Sequence, residues 1–124
     1  MKTTLQSQFD HEHKAWERSL EFFRQENALL KYRLSEMVDN NEENNFLQMA
    51  EYFQNELLLK DEMLNKLIKD LQWFSKNFDG LPKEKFKTEK IVLKREKFRN
   101  QILQFEKNFL HLFKEFNEQM LESI

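Results

Sequence analysis

The three histidines are the side chains of this 124-residue chain best suited to proton transfer or metal binding near neutral pH. His11 and His13 are two residues apart, so on a helix they point about 160° away from each other and cannot hold one ion together. If the first and last helices run parallel, His111 lies near the level of Leu29, far from His13. A di-iron helical bundle needs Glu-x-x-His pairs, and the sequence contains none. We therefore expect surface histidines and no metal site.

Other routes to catalysis also lack the side chains they need. The chain has no cysteine, which excludes disulfides, thiolate metal sites and a cysteine nucleophile. Its single glycine cannot build a glycine-rich phosphate loop. The serines do not fall on a strained turn of the kind that a nucleophile elbow needs. They are Ser7, Ser19, Ser35, Ser75 and Ser123. The sequence predicts no catalytic residues, no cofactor, no small-molecule substrate and no enzymatic activity.

Two polar breaks divide the chain into helical segments. The single glycine and the single proline fall together, at Gly80 and Pro82, in the order expected for a boundary between two helices. The other break is the polar cluster at 39–45. There Asn40 can cap a helix, with Glu43 three residues later as its capping-box partner. Two breaks predict three helices within one domain.

The predicted helices span about 5–38, 42–77 and 84–122 of a single domain at 1–124. The start of the third helix is open, because Pro82 could begin it or Thr88 could cap a later start. Each helix has about 35 residues and so a length of about 50 Å. Similar lengths and short loops favour an elongated antiparallel up-down-up three-helix bundle, which is an all-α fold.

Apolar residues support this arrangement, because in each helix they recur with alternating spacings of four and three. This is the pattern of coiled-coil-like packing. In helix 1 the positions are Trp16, Leu20, Phe23, Asn27, Leu30, Leu34 and Met37. In helix 2 they are Phe46, Ala50, Phe53, Leu57, Lys60, Leu64, Leu67, Leu71, Phe74 and Phe78. In helix 3 they are Phe98, Ile102, Phe105, Phe109, Leu112 and Phe116.

Two polar residues interrupt these core positions. Asn27 in helix 1 and Lys60 in helix 2 come to nearly the same level when the helices fold back on each other. In one interpretation Lys60 extends its amine outward and Asn27 bonds locally. In the other they form a buried polar layer that fixes the register of the helices.

Charge is distributed unevenly along the chain. Residues 36–62 hold eight acids and one base, a net of −7, whereas residues 83–99 hold eight bases and three acids, a net of +5. In an up-down-up bundle these segments lie at opposite ends. The basic segment is a candidate site for an acidic partner protein. The candidate partner-binding side chains on helix 3 are Lys94, Arg95, Lys97 and Arg99. Most of these positions lie off the core spacing; Arg95 is the exception, because extending that spacing back from Phe98 places it inward.

Helix 3 also carries a second apolar stripe beside its core positions. The stripe consists of Leu103, Leu110, Phe113, Met120 and Ile124. Two neighbouring helices could just cover this arc, but helices 1 and 2 carry widened apolar arcs too, so we predict self-association, most simply as a dimer. The alternative is complete burial of these side chains within one monomer. The leading hypothesis is therefore a non-catalytic helical interaction or scaffold protein. The alternative is a small regulatory adaptor that binds nucleic acid or an acidic protein through 83–99, although a net charge of −2 does not favour nucleic acid.

No part of the sequence indicates a membrane. The longest uninterrupted apolar runs are 57–59 and 91–93, whereas a membrane-spanning helix needs about 20 such residues. The first residues do not form the apolar region of a secretory signal. We expect a cytoplasmic protein.

Two segments carry a resemblance to a known group of proteins. Residues 26–36 and 51–56, together with the Lys-, Asn- and Phe-rich composition, resemble uncharacterised small helical-bundle proteins of Bacteroidetes-type bacteria. The resemblance implies a helical bundle in a bacterial cytoplasm, and it implies no activity and no functional residues.

Overall fold

The structure is a computed structural model that describes residues 4–78 and 89–121. Its helices are α1 (Thr4–Asp39), α2 (Asn44–Phe78) and α3 (Glu89–Leu121). The two described ranges contain no strand, which confirms the all-α prediction. The turn at Gly80 and Pro82 lies outside the described residues. So does Thr88, and with it the question of where the third helix starts.

The first two helices run antiparallel. His13 of α1 lies beside Ser75 of α2, whereas Asn27 of α1 donates a hydrogen bond to the Leu57 carbonyl oxygen of α2. Residue numbers therefore rise along α1 as they fall along α2.

The third helix completes an up-down-up bundle. The ring of Phe98 packs on Trp16 of α1 at 4.9 Å between ring centres, and the ring of Phe105 packs on Phe23 at 5.6 Å. Numbers rise together in these pairs, so α1 and α3 are parallel. On α2, Phe74 packs against Phe98, which places α3 antiparallel to α2.

The core lies along the alternating positions predicted from the sequence. The described members are buried except Met37, which is half-buried, and the side chain of Phe78 lies outside the described residues. The closest approach of backbones is between α1 and α2, whereas α1 and α3 stay further apart. Phenylalanine rings fill the space between α1 and α3, with Phe23 contacting both Phe105 and Phe109. The line along which α1 and α3 meet at the outer surface is called the groove below.

The α1–α2 turn shows that the predicted cap was wrong. The Asn40 amide does not cap α2; it donates to the Glu36 carbonyl oxygen at 2.9 Å and so closes the end of α1. Asn41 instead orders the turn before α2, because its side-chain oxygen accepts from the Glu43 amide at 2.9 Å and forms a local Asx turn. The Glu43 carbonyl then accepts the first bond of α2, so α2 begins two residues later than predicted.

Within the described residues, no helix is both long enough and apolar enough to cross a membrane.

Candidate functional site

His13 corrects the prediction that all three histidines lie at the surface. It is only 7% exposed, whereas His11 and His111 are exposed as expected. Extending the core positions of α1 back from Trp16 by three residues reaches His13, and four more reach Phe9, which is also buried. The four-and-three spacing therefore continues to the first turns of α1.

The surroundings of His13 do not support catalysis. Its Nδ1 lies 3.3 Å from Ser75 Oγ, while its buried Nε2 has no hydrogen-bond partner among the described residues. A Ser–His–carboxylate triad needs a carboxylate on the second ring nitrogen. The ring is instead packed among aromatic rings, with Phe9 stacked on it at 4.4 Å between centres. Burial lowers the pKa of His13, and the Glu17 carboxylate opposes this effect only in part. The arrangement stabilises neutral imidazole in a core.

Metal binding finds no support in the described ranges either. No group of three or more His, Cys, Asp or Glu side chains there could hold an ion.

The structure divides the predicted basic site into two parts. Arg95 and Arg99 turn toward α1 and share Glu12. Arg95 donates to one oxygen of this carboxylate at 2.8 Å, and Arg99 donates to the other at 2.6 and 3.0 Å. The Arg95 side chain is largely buried and lies over the Phe9 ring. These two arginines fasten α3 to α1. Arg95 lies inward, as the spacing back from Phe98 predicted, whereas the contact with Glu12 makes Arg99 less available to an external partner than expected.

Lys94 and Lys97 lie on the other flank of α3, facing α2. The Lys94 amine sits 4.2 Å from the centre of the Trp73 ring, a cation–π contact. Together with Lys66 of α2 the two lysines line a cleft of about 390 Å³ whose floor includes Phe98. None of the three lysines forms an ion pair with another described residue. Of the four predicted site residues, Lys94 and Lys97 therefore lie in the cleft between α2 and α3, which Asp70 also lines.

Asn27 belongs to a buried polar layer, as one of the two interpretations predicted. Its amide nitrogen donates to the Leu57 carbonyl oxygen at 3.0 Å and to Asp61 Oδ1 at 2.7 Å. Lys31 forms an ion pair with the other oxygen of Asp61. The partner across the interface is therefore Asp61 and not Lys60, although Lys60 is also buried along its stem.

Polar contacts between helices identify which flank of α1 and α3 borders the groove. Glu12 meets Arg99, so positions that repeat Glu12 at seven-residue intervals on α1 face α3. They are Ser19, Glu26 and Arg33. On α3, the positions seven and fourteen residues after Arg99 likewise face α1. They are Glu106 and Phe113. Glu26 and Glu106 are half-buried and form no ion pair with another described residue.

Four large apolar side chains line the outer edges of this groove. On α1, Phe22 and Leu29 come three residues after Ser19 and Glu26. On α3, Leu103 and Leu110 come four residues after Arg99 and Glu106. Each is between 42% and 55% exposed. These four side chains, with Glu26 and Glu106 between them, are called the acidic face below.

Two members of the predicted stripe on α3 do not belong to this exposed surface. Met120 is fully buried, because the spacing after Phe116 brings it into the core. Phe113 is partly buried against the core. Ile124 lies outside the described residues. The exposed part of the predicted stripe is therefore Leu103 and Leu110, joined by two α1 side chains that sequence reasoning did not assign to it.

A second exposed apolar surface lies on the flank of α2 that faces α3. Trp73 contacts Lys94 of α3. Leu59 and Lys66 precede Trp73 by fourteen and seven residues, so they lie on the same flank of α2, and Met63 lies next to them. Leu59, Met63 and Trp73 are each exposed by two-fifths or more. These three side chains with Lys66, Lys94 and Lys97 are called the basic face below.

Comparisons with protein-family models, with curated proteins and with solved structures found no match to this chain. The functional argument therefore rests on the geometry of its own residues.

Proposed function

We propose that this chain is a non-catalytic helical interaction or scaffold protein that acts through its surface and associates with further copies of itself. The observation that carries the proposal is the acidic face, where Phe22, Leu29, Leu103 and Leu110 expose about half of each side chain along one groove. Contiguous apolar surface of this kind marks interaction sites on proteins that are otherwise well packed.

The free energy gained by burying the apolar side chains of the acidic face supports association. Burying the exposed half of a large apolar side chain contributes roughly 1 kcal/mol, and the acidic face offers four such side chains. The loss of translational and rotational freedom on binding costs several kcal/mol. Apolar burial on both partners is of the same size as this cost and can leave a weak net attraction that depends on concentration.

The proposal is tested by changing Leu103 and Leu110 together to Glu. Both are half exposed, and glutamate is a good helix former, so the fold should survive. Size-exclusion chromatography with light scattering should show a shift toward the monomer relative to the wild type. The matched control is Leu58→Glu, an equally exposed leucine on the α1 side of α2, which should leave the mass unchanged. Equal masses for wild type and double variant would contradict the proposal.

The alternative is an adaptor that binds nucleic acid or an acidic protein through residues 83–99. Lys94 and Lys97 support it, because they remain free of ion pairs with described residues. Arg95 and Arg99 weaken it, because Glu12 neutralises one of their two charges and holds both side chains. A cytoplasmic location stays a prediction, and fractionation of the source cells would test it.

A further inference from the structure

The acidic face and the basic face match each other in both apolar content and charge. The acidic face has apolar edges, and between them lie Glu26 and Glu106, whose carboxylates form no ion pair with another described residue. Along α2 the basic face has Leu59, Lys66 and Trp73 at seven-residue intervals, so a lysine interrupts its apolar stripe. An apolar stripe with a central cation fits an apolar groove with central anions.

The faces are located on different sides of the bundle. The acidic face lies between α1 and α3, and the basic face lies between α2 and α3. One molecule therefore cannot bring its own two faces together, whereas two molecules can.

Resting on the function proposed above, we propose that copies of this chain associate head to tail, with the basic face of one copy seated on the acidic face of the next. Lys66 then approaches Glu26 and Glu106 of the neighbouring copy. The apolar side chains of both faces are buried around this ionic contact. A second copy is the occupant because the same sequence supplies both complementary surfaces.

The alternative two-fold contact, acidic face against acidic face, is less favourable. It would bring Glu26 and Glu106 of one copy toward the same two carboxylates of the other. Two pairs of carboxylates would then meet in a partly desolvated interface, where like charges repel strongly. The bases nearest to them on these flanks, Arg33 and Arg99, lie beyond the face. Two basic faces would bring Lys66, Lys94 and Lys97 of both copies together, a repulsion that Asp70 in the same cleft reduces only in part.

Head-to-tail contacts have a structural consequence. An open assembly still has one free acidic face at one end and one free basic face at the other. Growth therefore continues until a ring closes or a filament forms. The average mass should therefore rise with concentration beyond that of a dimer. This behaviour suits a scaffold.

Two double variants test the head-to-tail contact. The acidic-face variant is Leu103→Gln with Leu110→Gln, and the basic-face variant is Leu59→Gln with Met63→Gln. Both introduce neutral glutamine only, so neither variant adds a charge that the opposite face could attract. Circular dichroism verifies that each variant keeps its helices. The control for the basic face is Leu58→Gln, because Leu58 is 49% exposed and its neighbour Leu59 is 50% exposed, yet only Leu59 lies on the face.

The decisive measurement is the mass of each variant alone and of an equimolar mixture. Head-to-tail association predicts that each variant alone is a monomer. It also predicts that the mixture forms a one-to-one complex of twice the 15.4 kDa monomer mass, because one intact acidic face and one intact basic face remain. A basic-face variant that still dimerises alone would overturn the inference in favour of a two-fold contact through the acidic face. A mixture that stays monomeric while the wild type associates would also overturn it, and it would leave the proposed function standing.

Charge reversal tests the ionic contact separately. Lys66→Glu should weaken association by about tenfold or more, and Glu26→Lys with Glu106→Lys should restore part of it in the Lys66→Glu background. Lys69→Glu, on the outer surface of α2, is the control and should have little effect. No loss of association in Lys66→Glu would overturn the pairing of the two faces.

Discussion

The amide nitrogen of Asn27 donates a 2.7 Å hydrogen bond across the α1–α2 interface to Asp61. The Asn27 side chain is fully buried, whereas the Asp61 side chain is partly exposed and forms an ion pair with Lys31. The side-chain oxygen of Asn27 has no partner among the described residues. The layer therefore fixes which residues face each other but leaves one buried polar atom unsatisfied.

Replacing Asn27 with Leu should raise the free energy of unfolding by about 1 kcal/mol, because an unsatisfied buried oxygen is removed while Lys31 still neutralises Asp61. The same change should broaden the population of helix registers or oligomers. Chemical denaturation measures the first effect and native mass spectrometry the second. Asn27→Ala is the control and should destabilise, since it leaves a cavity. A Leu variant with unchanged stability and one unchanged assembly would show that the layer has no role in register.

His13 should make stability depend on pH. Burial lowers its pKa in the folded chain; Arg95 lowers it further, whereas Glu17, Asp10 and Glu12 oppose the shift. From α2 the ring meets the neutral Ser75 hydroxyl and Phe74.

The unfolded chain, with a His pKa of 6.5, therefore binds the proton more readily than the folded chain. Stability is full above pH 6.5 and falls as pH decreases below it toward the lower folded pKa. Denaturation midpoints between pH 7.5 and 5, recorded at about half-unit steps, measure the effect. His13→Phe should flatten the profile relative to wild type, and His11→Gln, at an exposed position, should not. A profile equally steep in His13→Phe would assign the dependence to other groups.

Glu12 should contribute more to stability than surface acids do. Glu12→Ala leaves the largely buried Arg95 guanidinium without its carboxylate, which should cost about 2 kcal/mol of unfolding free energy. Thermal denaturation compares it with Glu21→Ala, whose partner Arg24 is exposed and which should change stability by less than about 0.5 kcal/mol. Equal effects of the two variants would mean that the Glu12 cluster does not fasten α3 to α1.

The basic segment gives a prediction about nucleic acid. Duplex DNA binding at physiological salt should be undetectable for the wild type, because Arg95 and Arg99 already bind Glu12. Lys94→Glu with Lys97→Glu should keep the helical content, whereas adding Arg95→Glu and Arg99→Glu should lower stability by breaking the Glu12 contacts. Fluorescence anisotropy with labelled DNA is the measurement. Tight, salt-sensitive binding that disappears in the Lys94/Lys97 variant would favour the adaptor function.

The core positions were predictable because burial repeats regularly along each helix. The residues that make up the acidic face and the basic face were not predictable from the sequence. The four-and-three spacing identified the core positions and the polar interruption at Asn27. It could not identify Asp61 as the partner, because that depends on how far each helix is rotated about its axis. For the same reason it could not show that Phe22 and Leu29 of α1 join Leu103 and Leu110 of α3. Those neighbours become visible only once Glu12 and Arg99 fix the facing flanks.

The exposed apolar faces should be covered by further copies of the chain. Sedimentation equilibrium of the wild type over a hundredfold range of concentration measures this association. We expect a weight-average mass that rises from 15.4 kDa to at least twice that value as concentration increases. A mass that stays at 15.4 kDa up to the highest concentration would contradict it, because both faces would then remain exposed to solvent.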